Sequence, residues 1–254
     1  MSPPDGVDPA VAEALNTVKS VFEAAGSTVF TGDNLVVVDQ IFGLGPDQAF
    51  IDAFYATQPD DNEKGWAWRL QTLLWAARNA LALEGDFVEC GVFRGFMSRF
   101  ICDMLDFAGH DRRFWLFDSF AGLSPTWSNE IERRSLNPIY EISKSEGYLV
   151  DAVRAKFAAY PNVRIVPGFV PEVFKDACPE RIAYLHVDLN AAAAEIAALE
   201  ALFPRVVPGG MIVLDDYGRA DYRHMHDAER AWFRDHGHPV LELPTGQGLV
   251  IKQG

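Results

Sequence analysis

The chain has 254 residues, 22 Lys and Arg against 36 Asp and Glu, and 49% hydrophobic residues. That length and hydrophobic content suit one core domain with an added segment, and they exclude a disordered or fibrous chain. The net charge of −14 excludes a general nucleic-acid or anionic-membrane binder, which needs a basic footprint.

The opening MSPPDGVDPA has neither a basic flank nor an apolar core, so no secretory signal is expected. No apolar run approaches the roughly 20 residues of a membrane span. Cys90, Cys102 and Cys178 lie inside ordinary segments with no CxxC spacing and fit a reduced, cytoplasmic protein.

Residues 1–84 read as an N-terminal helical extension. Asp8-Pro9 forms a helix start, Val11, Leu15, Val18 and Phe22 recur at helical spacing, and Gly26 ends the run. A short apolar patch at Leu35–Val38 precedes a predicted helix from Pro46 to about Tyr55. A longer one follows from Trp66 to Leu83. This segment offers a surface for self-association, although the sequence names no interface.

The rhythm changes at Gly85, where residues 85–254 begin the main domain. Short apolar runs at Phe87–Cys90, Phe114–Phe117, Val163–Val166, Ile182–Val187 and Met211–Leu214 alternate with helical spans near 96–108, 148–160 and 191–203. Such alternation predicts an α/β fold, a mostly parallel sheet with helices on both faces. A last helix from Asp221 to about His236 precedes Val240–Leu243 and Leu249–Lys252, which read as a terminal antiparallel pair. Residues 120–147 break the pattern with polar residues, Pro125, Pro138 and Trp127, and read as an irregular, lid-like insertion.

Ligands of open parallel sheets bind at the carboxyl ends of the strands. Read in order, those ends are Glu89-Cys90-Gly91, Asp118, Gly168, Asp188 and Asp215-Asp216. Gly91 and Gly95 have G-x-x-x-G spacing rather than the G-x-G-x-x-G of a dinucleotide pyrophosphate site. The turn either admits a cofactor without a pyrophosphate or is simply tight. Asp118 ends the second strand, where a carboxylate grips a ribose diol. Asp188, Asp215 and Asp216 end neighbouring strands, and three converging carboxylates fit a hard divalent cation such as Mg²⁺. Helix capping by Asp188 and Asp216 is the plainer alternative.

The blocks Gly85–Val92, Trp115–Leu123 and Pro208–Gly210 leading to Asp215-Asp216-Tyr217-Gly218 together resemble the macrocin O-methyltransferase family. The resemblance covers about residues 60–254. It implies a Rossmann-like class I methyltransferase with a seven-stranded sheet, dependent on S-adenosylmethionine and Mg²⁺, that methylates a hydroxyl of a sugar or glycosylated small molecule. It further implies that Glu89 and Gly91 line the methionine portion and that Asp118 holds the ribose. Ser119, Phe120, Gly168 and Phe169 would flank the adenine, and Asp188, Asp215 and Asp216 would hold the metal. Relatives commonly carry a second acidic residue two places after the first aspartate, where this chain has Asn190.

An amide takes up no proton at neutral pH. Asp188 is therefore the first candidate for general base and His224 the second. Two other readings remain open: a nicotinamide-dependent oxidoreductase, and a cofactor-binding module without turnover.

Overall fold

A computed structural model describes residues 9–32, 35–145 and 150–254. The helix start expected at Asp8 and the end of the lid expected at Gly147 lie outside the described residues. The chain divides into two compact units, 1–72 and 73–254.

The first unit contains α1 (Pro9–Ala24), β1 (Val29–Gly32), β2 (Leu35–Val38), α2 (Gln48–Ala56) and the start of α3 (Ala67–Ala80). Its reading as wholly helical is corrected here, because β1 and β2 pair antiparallel in register from Val29↔Val38 to Gly32↔Leu35. Leu35-Val36-Val37-Val38 is a β-branched run, a composition that favours a pleated strand. Phe42 packs on Phe50 and Trp68, with ring centroids 5.5 and 4.9 Å apart. The unit thus has its own small aromatic cluster.

In the second unit β3 (Asp86–Cys90), α4 (Phe96–Leu105), β4 (Phe114–Asp118), α5 (Glu130–Ser145), α6 (Val150–Lys156) and β5 (Val163–Pro167) come first. They are followed by β6 (Ile182–Val187), α7 (Ala192–Leu202), β7 (Val206–Leu214), α8 (Arg223–Asp235), β8 (Leu241–Glu242) and β9 (Gly248–Ile251). The seven strands are ordered β5-β4-β3-β6-β7-β9-β8. Strands β3 to β7 are mutually parallel, whereas β9 runs antiparallel to both β7 and β8.

All six residues of β6 are buried, as required of a strand covered by helices on both faces. Phe87 anchors the core, with the rings of Phe107, Phe114 and Tyr184 at 5.2, 5.8 and 5.1 Å. Strand β7 starts earlier than its apolar run, because Val206 already pairs with Ile182 before the register shifts at Pro208–Gly210.

The strand order reverses between β3 and β6, since β4 and β5 extend to one side and β7 to the other. That point is where a parallel sheet opens a crevice for ligands. Beside it lies the insertion read as irregular, which instead contains the 16-residue helix α5. Asn129 Oδ1 accepts from the amides of Ile131 and Glu132, both at 2.9 Å, and Glu132 Oε2 accepts from the Asn129 amide at 2.7 Å. This is a capping box, which ties up amides that a helix start leaves unpaired.

Candidate active site at the strand ends

At the switch point the ends of β3 and β6 touch. Asp188 N donates to Cys90 O at 2.8 Å, and Gly91 N donates to Phe117 O at 2.8 Å. Gly91 has φ +92, and a Cβ built there would lie 1.7 Å from the Asp188 carbonyl oxygen. The glycine is therefore demanded by its own neighbouring strand, a stronger constraint than ligand approach.

A pocket opens here, lined by Gly91, Asp118, Ser119, Tyr140, Gly168, Phe169 and Asp188 among others. Five of the seven expected cofactor-contacting positions are thus on its wall. Glu89 and Phe120 are not. Phe120 is buried, and its amide donates to Asp118 Oδ1 at 2.6 Å. Glu89 is buried beneath the site, where its Oε1 lies 2.8 Å from His186 Nδ1.

Asp118 is buried, and its Oδ2 accepts from the amides of Val92 and Phe93 at 2.7 and 2.8 Å. Burial raises its pKa, while the amides of Phe93, Phe120 and Val92 and the Tyr140 hydroxyl oppose that rise. The Tyr140 hydroxyl, from α5, is itself pushed well above its ordinary value by burial, then by the charges of Asp118 and Asp188. Tyr140 thus faces both ends of the cavity.

Asp188, Asp215 and Asp216 converge as expected, each offering one carboxylate oxygen within 4.8 Å of the others. Around a hard ion with oxygens at about 2.0–2.1 Å, at least two of three such pairs stand about 3 Å apart, so the side chains would draw together on binding it. The donor set contains no sulfur or nitrogen, so it suits Mg²⁺ better than zinc. Neighbours already orient the three groups. Asn190 Nδ2 donates to Asp188 Oδ1 at 2.7 Å, Gln247 Nε2 donates to Asp215 Oδ1 at 3.0 Å, and Arg219 Nε lies 3.6 Å from Asp216 Oδ1.

Behind Asp215 lies His186, with Nε2 at 3.4 Å from Asp215 Oδ1. Burial alone lowers the His186 pKa, but hydrogen bonds to Asp215 and Glu89 overcome it and hold it at about 10. The imidazolium is one cation set between two carboxylates, which offsets part of the cost of burying them. Glu195 of α7 supports the other side, its Oε1 accepting from the amides of Leu189 and Asn190 at 3.0 Å each.

His224 is the second residue of α8, and its Nε2 lies 2.7 Å from Glu132 Oε1. Tyr222, two residues earlier, has its pKa pushed up by burial, then by the charges of Asp216 and Asp188. His224 itself is not among the residues that line the cavity, and its side chain is 46% exposed.

Sequence reading missed Glu132, His186, Glu195 and Gln247. The Asn129-x-x-Glu132 spacing was the signal for the first. The others become visible only through strand register and helix packing.

Comparisons with known proteins identify the family. Residues 67–236 match the family model of macrocin-O-methyltransferase (TylF). The chain is 30% identical over 205 residues to 8-demethyl-8-(2,3-dimethoxy-alpha-L-rhamnosyl)-tetracenomycin-C 4'-O-methyltransferase of Streptomyces olivaceus, covering 72% of this chain and 76% of that one. It is 29% identical to mycinamicin III 3''-O-methyltransferase of Micromonospora griseorubida, covering 59% of this chain and 62% of that one. The solved structure of the O-methyltransferase NovP shares the fold, with TM-score 0.60 and 24% identity over 73% of this chain and 80% of that one. The chain belongs to the macrocin O-methyltransferase family and is an S-adenosylmethionine-dependent O-methyltransferase.

Proposed function

We propose that this protein transfers the methyl group of S-adenosylmethionine to a hydroxyl of a sugar on a glycosylated small molecule, with Mg²⁺ held by Asp188, Asp215 and Asp216. The observation that carries the proposal is the convergence of three carboxylates within 4.8 Å at the end of the same cavity that Gly91 and Asp118 line. The names of the relatives support the acceptor class, since one acts by name on a rhamnosyl-bearing tetracenomycin and another on the 3'' position of mycinamicin III.

When bound, the sulfonium donor supplies an activated methyl group and the ion supplies Lewis acidity. The chain's residues do the rest. Asp118 orients the ribose, while Gly91, Ser119, Gly168 and Phe169 form the wall against the nucleoside. Asp188, Asp215 and Asp216 would hold the ion, which would stabilise charge developing on the acceptor hydroxyl. Helix α5 excludes water from the cavity. His224 takes the acceptor's proton, because Asn190 cannot and Asp188 is already committed to the ion.

The test is calorimetry with Mg²⁺ and with S-adenosylhomocysteine, followed by mass-spectrometric screening of glycosylated acceptors with and without EDTA. Asp215→Asn should abolish Mg²⁺ binding and turnover while S-adenosylhomocysteine affinity stays within about threefold. Equal Mg²⁺ affinity in the variant, or full turnover in EDTA, would overturn the metal assignment.

A further inference from the structure

Glu132 lies on α5, in the segment that covers the site, yet its side chain is only 5% exposed. Its carboxylate ties together three elements. Oε2 accepts from the Asn129 amide at 2.7 Å, and Oε1 accepts from the Ala192 amide at 3.2 Å, at the start of α7. The same Oε1 lies 2.7 Å from His224 Nε2 on α8. Ala191, next to that α7 amide, lines the cavity together with Asp188 and Leu189.

We infer that Glu132 is a positioning residue that fixes His224 with its Nε2 proton donated to the carboxylate and its Nδ1 left as the basic atom of the ring. The inference rests on the assignment of His224 as proton acceptor made above. An ionised carboxylate only accepts hydrogen bonds, so a ring nitrogen 2.7 Å from it must carry a proton. In the neutral imidazole the other nitrogen then holds the lone pair. A carboxylate behind the ring also stabilises the cation that forms when the ring takes up a proton.

This arrangement suits a loop after Asp188 that offers no base of its own. Asn190 Nδ2 donates to Asp188 Oδ1 at 2.7 Å, so that side chain orients a metal-holding residue and offers no basic site. The base has to arrive from another element, and α8 carries it to within one carboxylate of the cavity wall. Because Glu132 grips the Ala192 amide and His224 through one oxygen, the contact that seats α5 on α7 is also the contact that orients the ring. Covering the site and assembling the base are then a single event. The acceptor hydroxyl's proton goes to Nδ1 while the methyl carbon leaves sulfur for that oxygen. One positive charge thereby passes from sulfonium to imidazolium, and atoms and charge balance.

Long-range ¹H–¹⁵N correlation on the metal-free full chain at pH 8.5, assigned with His224→Asn, reads the ring directly. The expected result is a pyridine-like Nδ1 and a pyrrole-like Nε2 for His224, averaging towards each other in Glu132→Gln. A pyridine-like Nε2 in the unaltered protein would overturn the inference with no substitution made. Kinetics with the acceptor found above supply the second arm. Glu132→Gln should lower kcat about tenfold to a hundredfold and leave KM and Mg²⁺ affinity within about threefold. If His224→Asn keeps full turnover, the assignment of the base fails. If His224→Asn loses turnover while Glu132→Gln keeps it, the positioning role of Glu132 fails and the base stands.

Discussion

The Tyr140 hydroxyl, carried by α5, bears on the Asp118 carboxylate, the group that a ribose diol needs. Two oxygens of a carboxylate offer about four lone-pair sites. The amides of Val92, Phe93 and Phe120 take three of them, which leaves one on the side of Tyr140. A ribose hydroxyl must therefore compete with Tyr140. Tyr140→Phe should tighten S-adenosylhomocysteine about threefold to tenfold by calorimetry, the worth of one hydrogen bond to a charged group partly repaid by the lost packing of the closed helix. Weaker or unchanged affinity would show that the ribose is held elsewhere.

Gly91 makes a prediction of opposite kind, about stability before ligand. Its positive φ and the 1.7 Å approach of a Cβ to the Asp188 carbonyl oxygen leave no room for a methyl group, and the obstruction is backbone rather than a side chain that can turn aside. Gly91→Ala should cost more than about 3 kcal/mol, read as a lower urea midpoint or as loss of soluble protein. A variant as stable as the parent would mean that β3 and β6 do not meet as described.

Much of this was legible in the residues themselves. Near-continuous apolar runs located β3 to β6, because a strand buried on both faces has no polar side to show, and the carboxylates that ended those runs marked the site. What was hidden has a physical cause in each case. Pro138 and a mean run of charges disguised α5, whose start is announced only by the Asn129–Glu132 capping pair. The β1–β2 hairpin is two strands of four residues each, too short for alternation to declare itself. Glu89 reads as a cofactor residue by position, but whether it faces the cavity or the neighbouring strand depends on the pairing of Glu89 with His186, which is a matter of register.

Asn190 has φ +55, a left-handed conformation that asparagine and aspartate both tolerate, so Asn190→Asp is free of backbone strain. The substitution replaces a donor 2.7 Å from Asp188 Oδ1 with a like charge. In EDTA the repulsion should cost about 1 kcal/mol and lower Tm by about 2–4 °C. With saturating Mg²⁺ the fourth charge becomes attractive, so the gain in Tm on adding the ion should exceed that of the parent. Thermal unfolding in both conditions checks this, and an equal drop with and without Mg²⁺ would place residue 190 out of reach of the ion.

Buried Glu229 sets a pH dependence that is separable from the chemistry. Glu229 of α8 is wholly buried, and both of its carboxylate oxygens lie out of hydrogen-bond reach of any partner. Burial raises the Glu229 pKa from its ordinary 4.5 to about 7, with the charge of Asp216 adding to the rise. A folded value above the unfolded one means that the folded chain keeps a proton the unfolded chain has released. The contribution to stability is therefore fully present below pH 4.5 and is lost as pH rises through about 7. Glu229→Gln keeps the shape but has no proton to lose. Its urea midpoint should fall less steeply than the parent's across that window, so the two curves diverge in favour of the variant towards pH 7. Parallel curves would show that Glu229 titrates alike in the folded and unfolded chains, and its burial would not be what sets the pH dependence.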